Sequence, residues 1–139
     1  MNILYISTMC SSRMISILHK RSSRNPGFAV QKFNRLIAQG LAKNGCNVST
    51  LSAIPARPHD VSIICKENSE KDSGVFYRYI PFINIPGLRQ FCLFIYSFFF
   101  TLIWGLRNRK DKRLVFDVLN ISVCIGGLFA AKINRVESC

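Results

Sequence analysis

The sequence is short of acidic residues. Seven Asp and Glu stand against 19 Lys and Arg, for a formal net charge of +12 and a pI of about 9.9. A balance so one-sided points to an anionic partner: nucleic acid, a membrane surface or a phosphorylated ligand. The chain also lacks any C-x-x-C pair. Its cysteines, Cys10, Cys46, Cys65, Cys92, Cys124 and Cys139, are scattered, and several fall inside apolar segments. This spacing argues against a disulfide frame or a zinc site and fits reduced, mostly buried cytosolic thiols, with no metal and no cofactor expected. An apolar run long enough for a signal peptide is missing at the start: Met1 to Ser7 is too short, and Arg13 soon follows. The basic residues do not interleave with aromatics in any nucleic-acid-binding motif, so nucleic acid is the weakest of the three partners.

What is present is the composition of a folded domain. Apolar residues make up 49% and charged residues 19% of 139, which excludes a disordered chain and suits one domain, residues 1–139. The stretch around which the rest is organised runs from Asn25 to Gly45. Ala29, Val30, Phe33, Leu36, Ile37, Gly40 and Leu41 recur at three- and four-residue spacings and predict a helix with this stripe toward the core. Gln31, Lys32, Asn34, Arg35, Gln39 and Lys43 form its other face. Pro26 fits the first turn, Asn25 is a candidate N-cap, and Asn44-Gly45 ends the helix. Asn2 to Ser7 before it reads as a strand buried on both faces, and Cys46 to Leu51 after it as a second strand. Strand, loop, helix, strand opens a parallel α/β sheet. The polar, basic stretch from Thr8 to Arg24 is predicted as a loop at the carboxyl ends of the strands, where such sheets bind ligands. It is either a lip that attracts an anionic substrate or a plain solvated connection.

Val61 to Lys66 and Val75 to Ile80 read as two short strands of a hairpin, joined by the polar loop Glu67 to Gly74. Leu88 to Leu106 is apolar, and the segment Gln90 to Leu106 carries no charge. Arg107, Arg109, Lys110, Lys112 and Arg113 follow it. Three readings stand open: a core helix whose outer face is also apolar, an interfacial helix on a bilayer, and a membrane span. In the interfacial reading, Phe91, Phe94, Phe98 and Trp104 meet the membrane, and Arg107, Arg109 and Lys110 meet anionic headgroups. Leu114 to Ile121 is the next predicted strand, and Val123 to Lys132 the next helix, with Ser122 as its cap and Gly126-Gly127 as a weak point. No strand is predicted after Ile133, so the α/β sheet is expected to be incomplete at its carboxyl end.

The order of these parts resembles the N-terminal half of a GT-B glycosyltransferase of the retaining family-4 type. The resemblance rests on Asn2-Ile-Leu-Tyr-Ile-Ser7, on Pro26-Gly27-Phe28 at the helix start, on Leu36 to Ser49, and on Phe116 to Ser122. It covers nearly the whole chain and about half of such an enzyme. It implies a Rossmann-like parallel sheet flanked by helices that holds the acceptor, with the nucleotide-sugar bound by a second domain. By resemblance, Pro26, Gly27 and Phe28 lie beside the cleft, where the helix N-terminus either faces a phosphate or is a plain cap. Asn120 and Ser122 either hydrogen-bond an acceptor sugar or cap the strand end. These enzymes often carry a His there, which this chain lacks, and the family's paired donor-binding glutamates have no counterpart. The implied activity is hexosyl transfer from a nucleotide-sugar to a saccharide or lipid-linked acceptor in polysaccharide biosynthesis, with this fragment inactive alone. The alternative is a non-enzymatic protein that binds anionic lipid through the apolar helix and basic run. The expected location is cytoplasmic, on the inner face of the cell membrane where lipid contact applies.

Overall fold

The computed structural model describes residues 1–21, 28–55, 64–65, 68–108, 111–117 and 120–138. Along the chain run β1 (Asn2–Ser7), α1 (Ser12–Arg21), α2 (Phe28–Lys43), β2 (Asn47–Ser52), β3 (Ile64–Cys65) and β4 (Asn68–Asp72). Then follow β5 (Val75–Tyr79), β6 (Phe82–Ile83), α3 (Leu88–Arg107), β7 (Lys112–Phe116), α4 (Ile121–Ile133) and β8 (Glu137–Ser138). Six strands make one sheet in the order β4-β5-β2-β1-β7-β8, and β3 pairs with β6 apart from it. β5, β2, β1, β7 and β8 are parallel, and β4 joins the edge antiparallel to β5. The protein is therefore α/β, with a mostly parallel mixed sheet flanked by helices, an arrangement compatible with a Rossmann-like fold.

Alternation along β1 sorts the helices onto the two faces. Tyr5 reaches Asn34 of α2, whereas its neighbour Ile6 lies against Gly127 of α4. Successive strand residues point to opposite sides, so α2 and α4 cover opposite faces. Leu4, Ile6, Leu51 and Leu114 are fully buried on the α4 side, and Val48, Val75, Tyr77 and Tyr79 on the α2 side. The strand run Ile3 to Ile6 is buried on both faces, which is why it reads as unbroken apolar sequence.

Several expectations are corrected. Residues 12–21 form helix α1 rather than a loop: the Ser11 hydroxyl accepts the Met14 N–H (3.0 Å) as a cap, and Met14 and Leu18, four apart, are buried. The hairpin forms one strand later than predicted, because the polar run Asn68 to Asp72 is itself the strand paired with β5. Its turn is Ser73-Gly74, with φ of 52° and 82°, the two positive values of a type I′ turn that matches sheet twist. β7 stops at Phe116 instead of running to Ile121. Asn120, not Ser122, caps α4: its side chain accepts the Val123 N–H at 3.2 Å. A short further strand, β8, follows α4 and pairs in parallel with β7.

The largest correction concerns α2. Most of its predicted core stripe faces outward: Phe33 is 63% exposed and Leu36 55%, while Gln31, Asn34 and Ala38 are buried and, of the stripe, Leu41 packs partly buried against the core. The sheet end beneath α2 presents hydrogen-bonding groups, the Tyr5 hydroxyl, the Thr8 carbonyl and the Cys10 N–H, and Gln31 and Asn34 are the residues that satisfy them. A buried polar group without a partner costs about 1–3 kcal/mol, so the polar stripe goes inward.

The interface between α3 and α4 is built from small residues. α3 turns Leu93, Ser97, Thr101 and Gly105 inward, and α4 buries Gly126, Gly127, Ala130 and Ala131, with Gly126 against Ser97 of α3 and Gly127 against Ile6 and Phe116 of the sheet. Ser97 donates its hydroxyl to the Val123 carbonyl (2.9 Å), and the Asn134 amide donates to the Leu102 carbonyl (2.9 Å). Gly126-Gly127 is thus the closest approach of α4 to its neighbours rather than a weak point: Cβ atoms there would run into Phe94 and Ser97 on one side and Ile6 and Phe116 on the other.

Candidate binding crevice

The chain runs outward from β1 through β2 to β5, then returns through α3 to β7 on the other side of β1. Strand order reverses between β1 and β7, and in open α/β sheets that reversal leaves a crevice at the carboxyl ends of the strands. Three side chains meet there. The Tyr5 hydroxyl donates to Asn34 Oδ1 (3.3 Å), and Asn34 Nδ2 donates to Asp117 Oδ2 (2.5 Å). Asp117 is the first residue beyond β7, and its N–H donates to the Ile6 carbonyl (2.9 Å). The half-buried carboxylate is therefore fixed by its own backbone and by an amide from α2. Burial, with the Asp117 carboxylate adding to it, pushes the Tyr5 phenol above its ordinary value, so Tyr5 is a hydroxyl donor at neutral pH.

The turn after β1 is held from both sides. Ser7 Oγ accepts the Met9 N–H (2.9 Å). Gln31 clamps the turn, with Oε1 accepting the Cys10 N–H (3.0 Å) and Nε2 donating to the Thr8 carbonyl (2.8 Å). Tyr79 Oη accepts the Ser11 N–H (3.0 Å) and donates to Glu70 Oε1 (2.7 Å), and the Ser11 hydroxyl donates to the same carboxylate oxygen. The Ser12 N–H donates to Asp72 Oδ2 (3.2 Å), and the Ser73 hydroxyl holds that carboxyl below its ordinary value. Residues 8–12 are thus a braced turn, not a lip.

Two buried groups in this layer are chemically quiet. Burial, reinforced by Glu70, pushes the Cys10 thiol up to about 12, so it is no nucleophile at neutral pH. Tyr77 is fully buried, its hydroxyl has no partner among the described residues, and burial with the Asp72 charge pushes its phenol up to about 12. Cys124 donates its thiol to the Asp117 carbonyl, and burial raises it too. Cys10, Cys46, Cys92 and Cys124 are free thiols, and no three metal-ligating side chains converge among the described residues.

The predicted site residues are only partly brought together. Asn120 sits at the crevice, with its side chain committed to capping α4, and half-buried Ser122 lies in the first turn of α4. Pro26 and Gly27 lie outside the described residues, and Phe28 opens α2. Asp117, Asn34, Tyr5 and Gln31 escaped notice in the sequence. The Gln31-Asn34-Ala38 spacing was a readable signal of a polar inner stripe. Asp117 was hidden inside a predicted strand that ran five residues past the end of β7 at Phe116.

The predicted membrane-contact residues lie elsewhere, on α3. Phe91 is 62% exposed, Phe94, Phe98 and Trp104 are half-buried and Arg107 is exposed; Arg109 and Lys110 lie outside the described residues. α3 is the one described helix long and apolar enough to cross a membrane, and it is packed along α4 and against the sheet. α3 and α4 run parallel, since Ser97 lies beside Gly126 and Gly105 beside Asn134. Their outer faces form a joint apolar wall: Phe91 and Leu106 from α3, and Ile121, Leu128, Phe129 and Ile133 from α4 are all exposed. Arg107 and Lys132 close the wall at the carboxyl ends of both helices, and neither helix contains an acidic residue.

The described elements define an α/β domain with a mostly parallel mixed sheet flanked by helices. Comparison of the chain with protein-family models, with curated proteins and with solved structures finds no match.

Proposed function

We propose that the chain forms the acceptor-holding domain of a GT-B glycosyltransferase of the family-4 type, serving sugar transfer from a nucleotide-sugar to a saccharide or lipid-linked acceptor. The observation that carries this reading is the reversal of strand order between β1 and β7, with Asp117 braced beside it by Asn34. A fixed carboxylate accepts hydrogen bonds from the hydroxyls of an acceptor sugar, and the Tyr5–Asn34–Asp117 chain keeps it oriented without a loop having to order. In that family the donor is held by a second Rossmann-like unit, whereas the described elements form one six-stranded sheet with the small β3–β6 pair beside it; on this reading the 139 residues alone transfer no sugar. The test is an NMR titration of the isotope-labelled chain with oligosaccharides and, separately, with nucleotide-sugars. Shifts at residues 8–11 and 117–122 with a saccharide are expected. No shift there with any saccharide overturns the acceptor role, and sugar transfer by the isolated chain overturns its inactivity.

A second reading is favoured by the apolar wall of α3 and α4. A contiguous exposed apolar surface rimmed by cations suits the surface of an anionic bilayer, with the helices lying in the interface plane. Sedimentation with vesicles separates the two outcomes. Binding to anionic but not zwitterionic vesicles supports docking, and no binding to either rejects it.

A further inference from the structure

Two cavities run along the flank of α3 turned away from α4, and they share Phe100 and Ile103. The larger, about 430 Å³, is apolar, lined by Cys92, Ile95 and Phe99 among others, and closed at one side by Pro81. The smaller, about 200 Å³, lies against β2 and β5 and contains Trp104, Arg78 and Arg107. Together they make one groove that is apolar for most of its length and cationic at one end.

The cationic end is organised. The Arg78 guanidinium carbon lies 4.9 Å from the Phe100 ring centroid and 5.8 Å from that of Phe76, within cation–π reach of both rings. Arg107 enters from the last turn of α3. Lys71, directly opposite Phe76 in the β4–β5 ladder, projects on the same side of the sheet. The acidic residues of β4 are spent on the opposite face, Glu70 on Ser11 and Tyr79 and Asp72 on Ser12. Among the described residues, the lining of both cavities contains no carboxylate. An apolar groove of this size is within the range of small-molecule sites, and two guanidinium groups at one end match a doubly charged oxyanion.

We propose that this groove binds a single amphiphilic anion, an apolar chain ending in a phosphate, with the chain along Cys92, Ile95 and Phe99 and the phosphate between Arg78 and Arg107. The proposal rests on the groove alone and stands or falls separately from saccharide binding at the crevice, which lies on the other face of the sheet and at the strand ends.

Trp104 is the only tryptophan in the chain, so its fluorescence reports the groove directly. The probes are dodecyl phosphate, dodecyl maltoside and inorganic phosphate, each kept below micelle-forming concentration. A saturable blue shift with dodecyl phosphate is expected, at about tenfold higher affinity than dodecyl maltoside, with no shift from inorganic phosphate. Arg107→Gln, on the exposed helix end, and Arg78→Gln each remove that preference and leave the maltoside affinity unchanged. Ile103→Asp weakens both chains, and Phe91→Ser, on the outer wall, weakens neither. Equal affinity for the two dodecyl compounds, an unchanged preference in Arg107→Gln, or loss of binding in Phe91→Ser instead of Ile103→Asp overturns the proposal.

Discussion

Gly126→Ala separates the two roles a helical glycine plays. In most helices the added methyl stabilises by about 1 kcal/mol, through lower unfolded-state entropy and better helix propensity. At Gly126 a Cβ falls 2.5 Å from the Phe94 carbonyl oxygen and 3.2 Å from the Phe98 nitrogen, and closer still to Ser97 Oγ. The first two are backbone atoms of α3 and cannot rotate aside, so the helices must part. Overpacking of this kind costs about 1–3 kcal/mol. Parting the helices also strains the Ser97–Val123 hydrogen bond, worth about 1 kcal/mol. After subtracting the propensity gain, the net is a destabilisation of ~2 kcal/mol. Gly40, on α2, is the internal control, because a Cβ there meets nothing within 4 Å and its substitution to Ala stabilises by up to about 1 kcal/mol. Urea unfolding followed by far-ultraviolet circular dichroism reads both variants, and thermal midpoints should move in opposite directions, down by ~6 °C and up by ~3 °C. A Gly126→Ala protein as stable as Gly40→Ala would refute the close α3–α4 packing.

Tyr77 and Tyr79 make a second contrast. Tyr79→Phe leaves the buried Ser11 N–H without its acceptor and costs about 1–3 kcal/mol, whereas Tyr77→Phe removes a buried hydroxyl that has no partner among the described residues and is neutral or stabilising, both read by urea midpoint. Alkali tests the buried acids. Cys10 and Tyr77 have their neutral forms favoured in the folded chain, so their contribution is intact below about pH 9 and lost as pH rises toward about 12, at up to ~1.4 kcal/mol per pH unit for each group. Cys10→Ala with Tyr77→Phe should flatten that decline, and an unchanged slope would show the two groups titrate normally. Thiol labelling mapped by peptide mass spectrometry should modify half-buried Cys46 and Cys92 in the native chain, and Cys10 and Cys124 only after unfolding.

Local rules of the chain determined its skeleton. The unbroken apolar run after Met1 could only be a doubly covered strand, the Asn44-Gly45 stop fixed the end of α2, and Gly45 indeed takes φ of 80°. Alternation of strand and helix then implied a mostly parallel sheet. Which face of each helix turned inward was decided only by tertiary structure. Periodicity finds an apolar stripe and assumes that it is the buried one. Here the inner side of α2 had to answer the Thr8 carbonyl, the Cys10 N–H and the Tyr5 hydroxyl, and α3 met α4 through Ser97, Thr101 and Gly105 because only small residues allow that approach. The crevice was equally out of reach, since Tyr5, Asn34 and Asp117 are separated by 29 and 83 residues and meet only once β7 is laid beside β1. Sequence spacing determines what a segment is, whereas the partners that settle each polar group come from elsewhere in the chain, and those are known only after folding.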